Sequence, residues 1–237
     1  MVDLLHNCSI LHVWEISMKK IFALAAVALV SVALAVADPV LIGHGYLGLG
    51  ALGSTVENKP DGWNEFKAFG DNLDFGGGID VNIPFGGYFG VQPGVDFYVN
   101  NLASGNGSDK AGVNYVTLDV PVLFTVKYKK FNFFVGPYFS FALGQMTGWK
   151  SKNDGTDKYT HSVDFNNIFN IGLSVGLTYE QRLGMGFLTY GARYMLDFIP
   201  VESKTTVGSQ TLTSKVGTRR GLVFDIGYKI PLSFFGL

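Results

Sequence analysis

From residue 38 onward the chain keeps returning to one pattern, in which apolar and polar positions alternate. In the stretch "NLDFGGGIDVNIPFGG", Leu73, Phe75, Ile79, Val81 and Ile83 share one parity, while Asp74, Gly76, Gly78, Asp80 and Asn82 share the other. A period of two is a strand with two unlike faces. Eight such segments are read at 41–53, 72–83, 88–99, 113–128, 131–143, 165–181, 186–197 and 220–230. Short links at 84–87, 129–130 and 182–185 alternate with long polar ones at 54–71, 100–112, 144–164 and 198–219. Tight turns at one end and long loops at the other predict an all-β fold: an eight-stranded antiparallel up-and-down transmembrane β-barrel, both termini at the periplasmic, short-turn end. No motif recurs at a fixed spacing, which removes repeat architectures.

The faces decide what the strands look at. One parity carries Phe89, Val91, Val95 and Phe97, then Val116, Leu118, Val120, Phe124 and Val126, then Phe131, Phe133, Val135, Phe139 and Phe141. It continues through Ile171, Leu173, Val175 and Leu177, Tyr190 and Tyr194, and Phe224 and Ile226, without a charge. The other parity carries Asp74, Asp80, Asn82, Gln92, Asp96, Asp119, Lys127, Glu180, Arg193, Asp197, Asp225 and Lys229, with glycine and serine between them. A soluble barrel would put long polar side chains on its wet exterior. Short acids and glycines instead suit the lumen of a ring barely wide enough for its own side chains. The apolar parity is therefore read as lipid-facing and the ionic one as a lumen-lining polar network. Tyr88, Phe89, Tyr128, Phe131, Tyr179, Phe187 and Tyr228 beside the short turns are read as an interfacial girdle. Glycines blur the first segment, leaving the facing of His44 and Tyr46 open. Pro93, Pro121 and Pro137 each remove a ladder donor, which bulges are expected to absorb.

Composition adds compartment and excludes partners. With 18 Lys plus Arg against 19 Asp plus Glu and no basic patch, nucleic acid is not an expected partner. "MKKIFALAAVALVSVALAVADP" has two lysines, an apolar run from Ile21 to Val36 and an Ala35-Val36-Ala37 cleavage site, the form of a secretory signal peptide. As a membrane helix the run would fall short of the ~20 residues needed. Residues 1–17 read as a mis-assigned upstream start, the alternative being an unusually long n-region. The reading divides the chain into an extension at 1–17, a cleaved signal peptide at 18–37 and a barrel at 38–237, destined for the outer membrane. The only cysteine, Cys8, precedes the cleavage site.

The run "YVTLDVPVLFTVKYKKFNFFVGPYFSFAL" resembles an outer-membrane β-barrel superfamily in which a strand with a Pro-leu-leu ending turns at a basic pair into a phe-x-x-Gly-Pro-tyr strand. Tyr115, Leu118, Val120, Pro121, Val122 and Leu123 match the first half, and Phe134, Gly136, Pro137 and Tyr138 the second. "FNIGLSVGLTYEQRLGMGFLTYGARYMLD" is similar to the glycine-spaced penultimate hairpin of the same superfamily, which includes OmpW, OmpX and opacity-type proteins. The resemblance implies a barrel among outer-membrane lipids, inserted by the barrel assembly machinery, and says little about activity. Members usually end on an aromatic residue, whereas here Phe234-Phe235 precede Gly236-Leu237.

Two functional readings follow. In the first, OmpW-like, the barrel gives passage to small, including hydrophobic, solutes or supports the envelope. In the second it is a surface adhesin or host-ligand receptor acting through long loops, with Trp63 and Trp149 as loop contacts or, equally, as residues that mark the outer interface or cap the lumen. The lumen charges read first as mutual ion pairs that plug the barrel and second as the lining of a conduit. No catalytic residues, cofactor or metal are assigned. His161 and Ser162 are adjacent on a loop without an orienting acid, and Asn153, Asp154 and Asp157 lack the spacing and closing Glu of a calcium loop.

Overall fold

A computed structural model describes residues 38–49, 73–106, 109–151, 159–163, 168–199, 201–207, 210–216 and 220–235. The extension and signal peptide, Trp63 and the segment 152–158 lie outside them. The strands are β1 (Val40–Leu49), β2 (Leu73–Phe85), β3 (Phe89–Asn106), β4 (Asp109–Tyr128), β5 (Phe131–Ser151), β6 (Tyr159–Val163), β7 (Phe169–Leu183), β8 (Gly186–Asp197), β9 (Val201–Val207), β10 (Gln210–Val216) and β11 (Arg220–Pro231). Eight of them, β1, β2, β3, β4, β5, β7, β8 and β11, pair antiparallel in that order, and β11 returns to β1. The ring is closed, so no lipid-facing edge leaves unpaired backbone groups.

Three tight turns lie at the end where both described termini sit. They need left-handed backbone at Gly86, Gly87 and Gly184, and Lys129 adopts it too, at φ 55°. The opposite end differs from the expected loops. β3 and β4 run on as a hairpin to Asn106 and Asp109, β5 continues to Ser151 with β6 paired to its extension, and β9 and β10 form a separate hairpin. Segments read as loops from polar composition are thus partly strand: a two-sided polar ribbon loses the apolar alternation that marked the barrel.

The prolines are not absorbed by bulges. The β2–β3 ladder skips two pairs at Pro93 and resumes in the same register, and the β3–β4 and β4–β5 ladders skip likewise beside Pro93 and Pro121. The irregularity lies elsewhere, between Asn114 and Val116, opposite the left-handed Gly144.

The outward parity is an apolar band, with Phe75, Ile79, Phe97, Phe124 and Ile226 each more than half exposed. Ile83 shares that parity yet is buried. Tyr128, Phe131 and Tyr179 gather near the turns, with Phe131 and Tyr179 edge to face at 5.3 Å and Lys129 Nζ 5.3 Å over the Tyr128 ring. Phe187 departs from the expected girdle, standing opposite the buried Lys229 with Lys127 Nζ 5.7 Å from its ring. Among residues whose exposure is described, the exposed charges are Asp38, Lys127, Lys129, Lys130 and Arg182, all at the turn end. Ile226, at mid-strand on the outer face, provides a test: Ile226→Arg should lose about 2–4 kcal/mol of unfolding free energy in phospholipid vesicles, against a change near zero if that face met water.

Candidate functional site

The interior is built by a recurring arrangement in which an inward glycine on one strand lets the side chains of its two neighbours meet across it. Gly76 of β2 lies in register between Tyr46 of β1 and Tyr98 of β3. The two rings stack over it at 4.9 Å and 9°. Two residues along, Gly78 lies between His44 and Asp96, and a Cβ there would collide with Asp96 Oδ1. On β7, Gly172 separates Tyr138 from Asp197, and the Tyr138 hydroxyl donates to that carboxylate over it. Gly176 separates Phe134 from Arg193, whose guanidinium carbon is 5.4 Å from the Phe134 ring.

The centre of this packing is Arg193. Its guanidinium carbon stands 4.6 Å over the Tyr46 ring, Nη1 is 3.6 Å from Asp96 Oδ2, and Nε is 3.7 Å from Asp225 Oδ2. Its Nη2 is 3.4 Å from His44 Nδ1. The facing that the sequence left open is now settled, since Tyr46 is buried and the His44 side chain is 3% exposed. His44 Nε2 is 2.8 Å from the Tyr46 hydroxyl, 3.3 Å from Asp96 Oδ1 and 3.5 Å from Asp80 Oδ2. Gln92 Nε2 donates to Asp80 Oδ2 at 2.6 Å, and Asn82 Nδ2 donates to Thr125 Oγ1 at 3.1 Å.

A second cluster lies nearer the turns, where Glu180 accepts from Lys229 Nζ at 2.7 Å and pairs with Lys127 Nζ at 2.8 Å. Glu180 and Lys229 are buried, whereas the Lys127 side chain is 51% exposed and marks the mouth. Asp74 accepts from the Asn101 backbone N–H at 2.8 Å, and Asp119 accepts from Ser140. Of the twelve polar residues read along the inward parity, eleven are thus placed inside the ring, with Lys127 at its rim.

Nonpolar side chains fill the remainder, and the sequence reading did not assign them a role. Ile42, Tyr98, Leu123, Phe134, Tyr138, Met195 and Val223 are buried on the inward parity. Their signal was available, because each sits one residue away from a lipid-facing neighbour. Trp149 falls on β5, in register between Gly112 and Thr160, and His161 and Ser162 belong to β6 rather than a loop.

Residues 44–201 match the family described as outer membrane protein beta-barrel domain. No curated protein matches the chain by sequence. Among solved structures, outer membrane protein OprG from Pseudomonas aeruginosa is similar at 13% identity and TM-score 0.47, over 82% of this chain and 97% of that one. Ail, the attachment invasion locus protein of Yersinia pestis, in complex with the heparin analogue sucrose octasulfate, is similar at 11% identity and TM-score 0.40, over 81% and 99%. Neisserial surface protein A is similar at 11% identity and TM-score 0.37, over 81% and 96%.

Removing one partner of a buried charge cluster strands the rest. Arg193→Met should therefore cost about 3–5 kcal/mol in the folding free energy of the barrel in vesicles, whereas Lys127→Met, at the wet rim, should cost about 1 kcal/mol or less. Equal losses would mean that the Arg193 cluster is hydrated.

Proposed function

We propose that this chain, which belongs to the outer membrane protein beta-barrel domain family, is a non-enzymatic outer-membrane barrel whose lumen is a structural plug and whose working surface is the set of hairpins beyond the barrel. Lipid contacts its outer face. Export through the signal peptide at 18–37 and insertion by the barrel assembly machinery bring it there.

One observation carries the reading: inward side chains at every level between the turns and the far rim have almost no surface that water can reach. Thr125 and Thr189 are buried on the turn side, Asp80, Asp96, Asp119 and Tyr138 at mid-height, and Asn100, Met195 and Val223 toward the far rim. Passage of a solute along the axis, the OmpW-like expectation, requires that plug to open. Strand length supports the other half of the proposal. About 9 to 11 tilted residues cross the hydrocarbon, whereas β4 has 20 and β5 has 21. Their far ends, together with β6 and the β9–β10 hairpin, project past the membrane as paired ribbons suited to present a binding surface to a host ligand or another surface component.

The experiment is single-channel recording of the refolded barrel in planar bilayers, paired with ligand or host-cell binding before and after replacing Val201–Val216 by a short turn. The expected result is a silent bilayer and binding that falls at least tenfold with the hairpin removed. Stable unitary steps in the unmodified protein would overturn the plug, and undiminished binding would overturn the role of that hairpin.

A further inference from the structure

Three ionisable groups of the plug, His44, Asp80 and Asp96, converge on one point from neighbouring strands. They come from three adjacent strands, and one ligand atom from each lies within 4.8 Å of the other two. The distances from the imidazole nitrogen to the two carboxylates are 3.5 Å and 3.3 Å. Two ligands held tetrahedrally at the bond lengths of zinc would stand about 3.4 Å apart. Asp96 Oδ1, on a residue only 1% exposed, is without a hydrogen-bond partner although it lies 3.3 Å from the imidazole nitrogen.

Charge leads to the same place. Asp80, Asp96 and Asp225 bring three negative charges to the centre, and Arg193 brings one positive charge. A divalent ion would offset two of the acids' charges, and buried charge survives where it is paired or bound to a metal.

From this geometry we propose that His44, Asp80 and Asp96 form a buried site for a divalent transition-metal ion, with imidazole and carboxylate as the borderline donor set that zinc accepts. The Tyr46 hydroxyl, hydrogen-bonded to His44 Nε2 at 2.8 Å, would yield that contact to the ion. Gln92 orients the Asp80 carboxylate from outside the ligand set, as supporting hydrogen bonds around metals do. Gly78 and Gly94 make the site sterically possible, because a Cβ at the first would strike Asp96 Oδ1 and at the second Asp80 Oδ1. Coordination through Nε2 places the ring proton on Nδ1, which repels Arg193 Nη2. The guanidinium has a place to go, since its Nε and Asp225 Oδ2 face each other at 3.7 Å, both without a hydrogen-bond partner. Because the site is sealed from water, the ion is taken up while the barrel folds and then staples β1, β2 and β3 from inside.

The test is to refold the chain from urea into detergent with zinc present, strip loose metal on a chelating column, and measure zinc per chain by elemental mass spectrometry. Folding is read separately from the heat-dependent gel mobility of closed barrels. About one zinc per folded chain is expected for the unmodified protein and for Asp197→Asn, an acid held by Tyr138 away from the site. Folded His44→Ala and Asp96→Asn should retain at least tenfold less, with His44→Gln taking the place of His44→Ala if that variant does not fold. Absence of stoichiometric zinc in the unmodified barrel would overturn the proposal whatever the variants do. So would equal retention by the folded His44 and Asp96 variants, or equal loss in Asp197→Asn.

Discussion

Everything inside this barrel follows from the space that eight strands enclose. A ring of that size has an interior just wide enough for side chains, and inward positions on neighbouring strands face one another at close range. Large groups on adjacent strands crowd one another around the ring. The solution repeated here is a glycine with a large residue on either side: Tyr46 and Tyr98 over Gly76, His44 and Asp96 over Gly78, Tyr138 and Asp197 over Gly172, Phe134 and Arg193 over Gly176. A glycine costs strand stability when considered alone, and at these positions that cost is offset by contacts that no side chain in its place would permit.

The same geometry explains why charge is tolerated at the axis. Closing the ring satisfies the backbone, so the interior need not be apolar, and the outer face carries the contact with lipid. Buried ions still require partners. Arg193 supplies them at the centre by touching an aromatic face on one side and two carboxylates on others. Glu180 with Lys229 and Lys127 does so near the turns, where the rim lysine stays in water. The interior is thus a set of local solutions, each joining several strands, and the membrane-facing band is indifferent to them.

Much of this was legible in the residues. Strict alternation in β4, β5 and β7 gave both the strands and their facing, because a single slip would have moved a whole apolar set to the wrong side. The inward acids were legible for the same reason. Three features were not. Glycines removed the alternation from β1, so His44 and Tyr46 could be oriented only through their partners on β2, β3 and β8. The meeting of His44, Asp80 and Asp96 joins residues with no informative spacing along the chain, since ladder register rather than sequence distance brings them together. The extended hairpins escaped because their polar sequence has no apolar parity to reveal a strand. The prolines reversed expectation more simply: the ladders lose pairs beside Pro93 and Pro121 but keep register.

Water access to the inward face is the property on which the packing, the plug and the sealed charge clusters all rest. It can be read chemically, because Cys8 is the chain's only cysteine. With Cys8 replaced by serine, Ser174→Cys places a thiol at an inward position that is 1% exposed, and Lys127→Cys places one at the rim. A water-soluble maleimide applied to the folded barrel in detergent should label the rim thiol promptly and leave the Ser174→Cys thiol unreacted until the barrel is unfolded. Prompt labelling at both positions would mean that water fills the axis and that the interior is not packed shut.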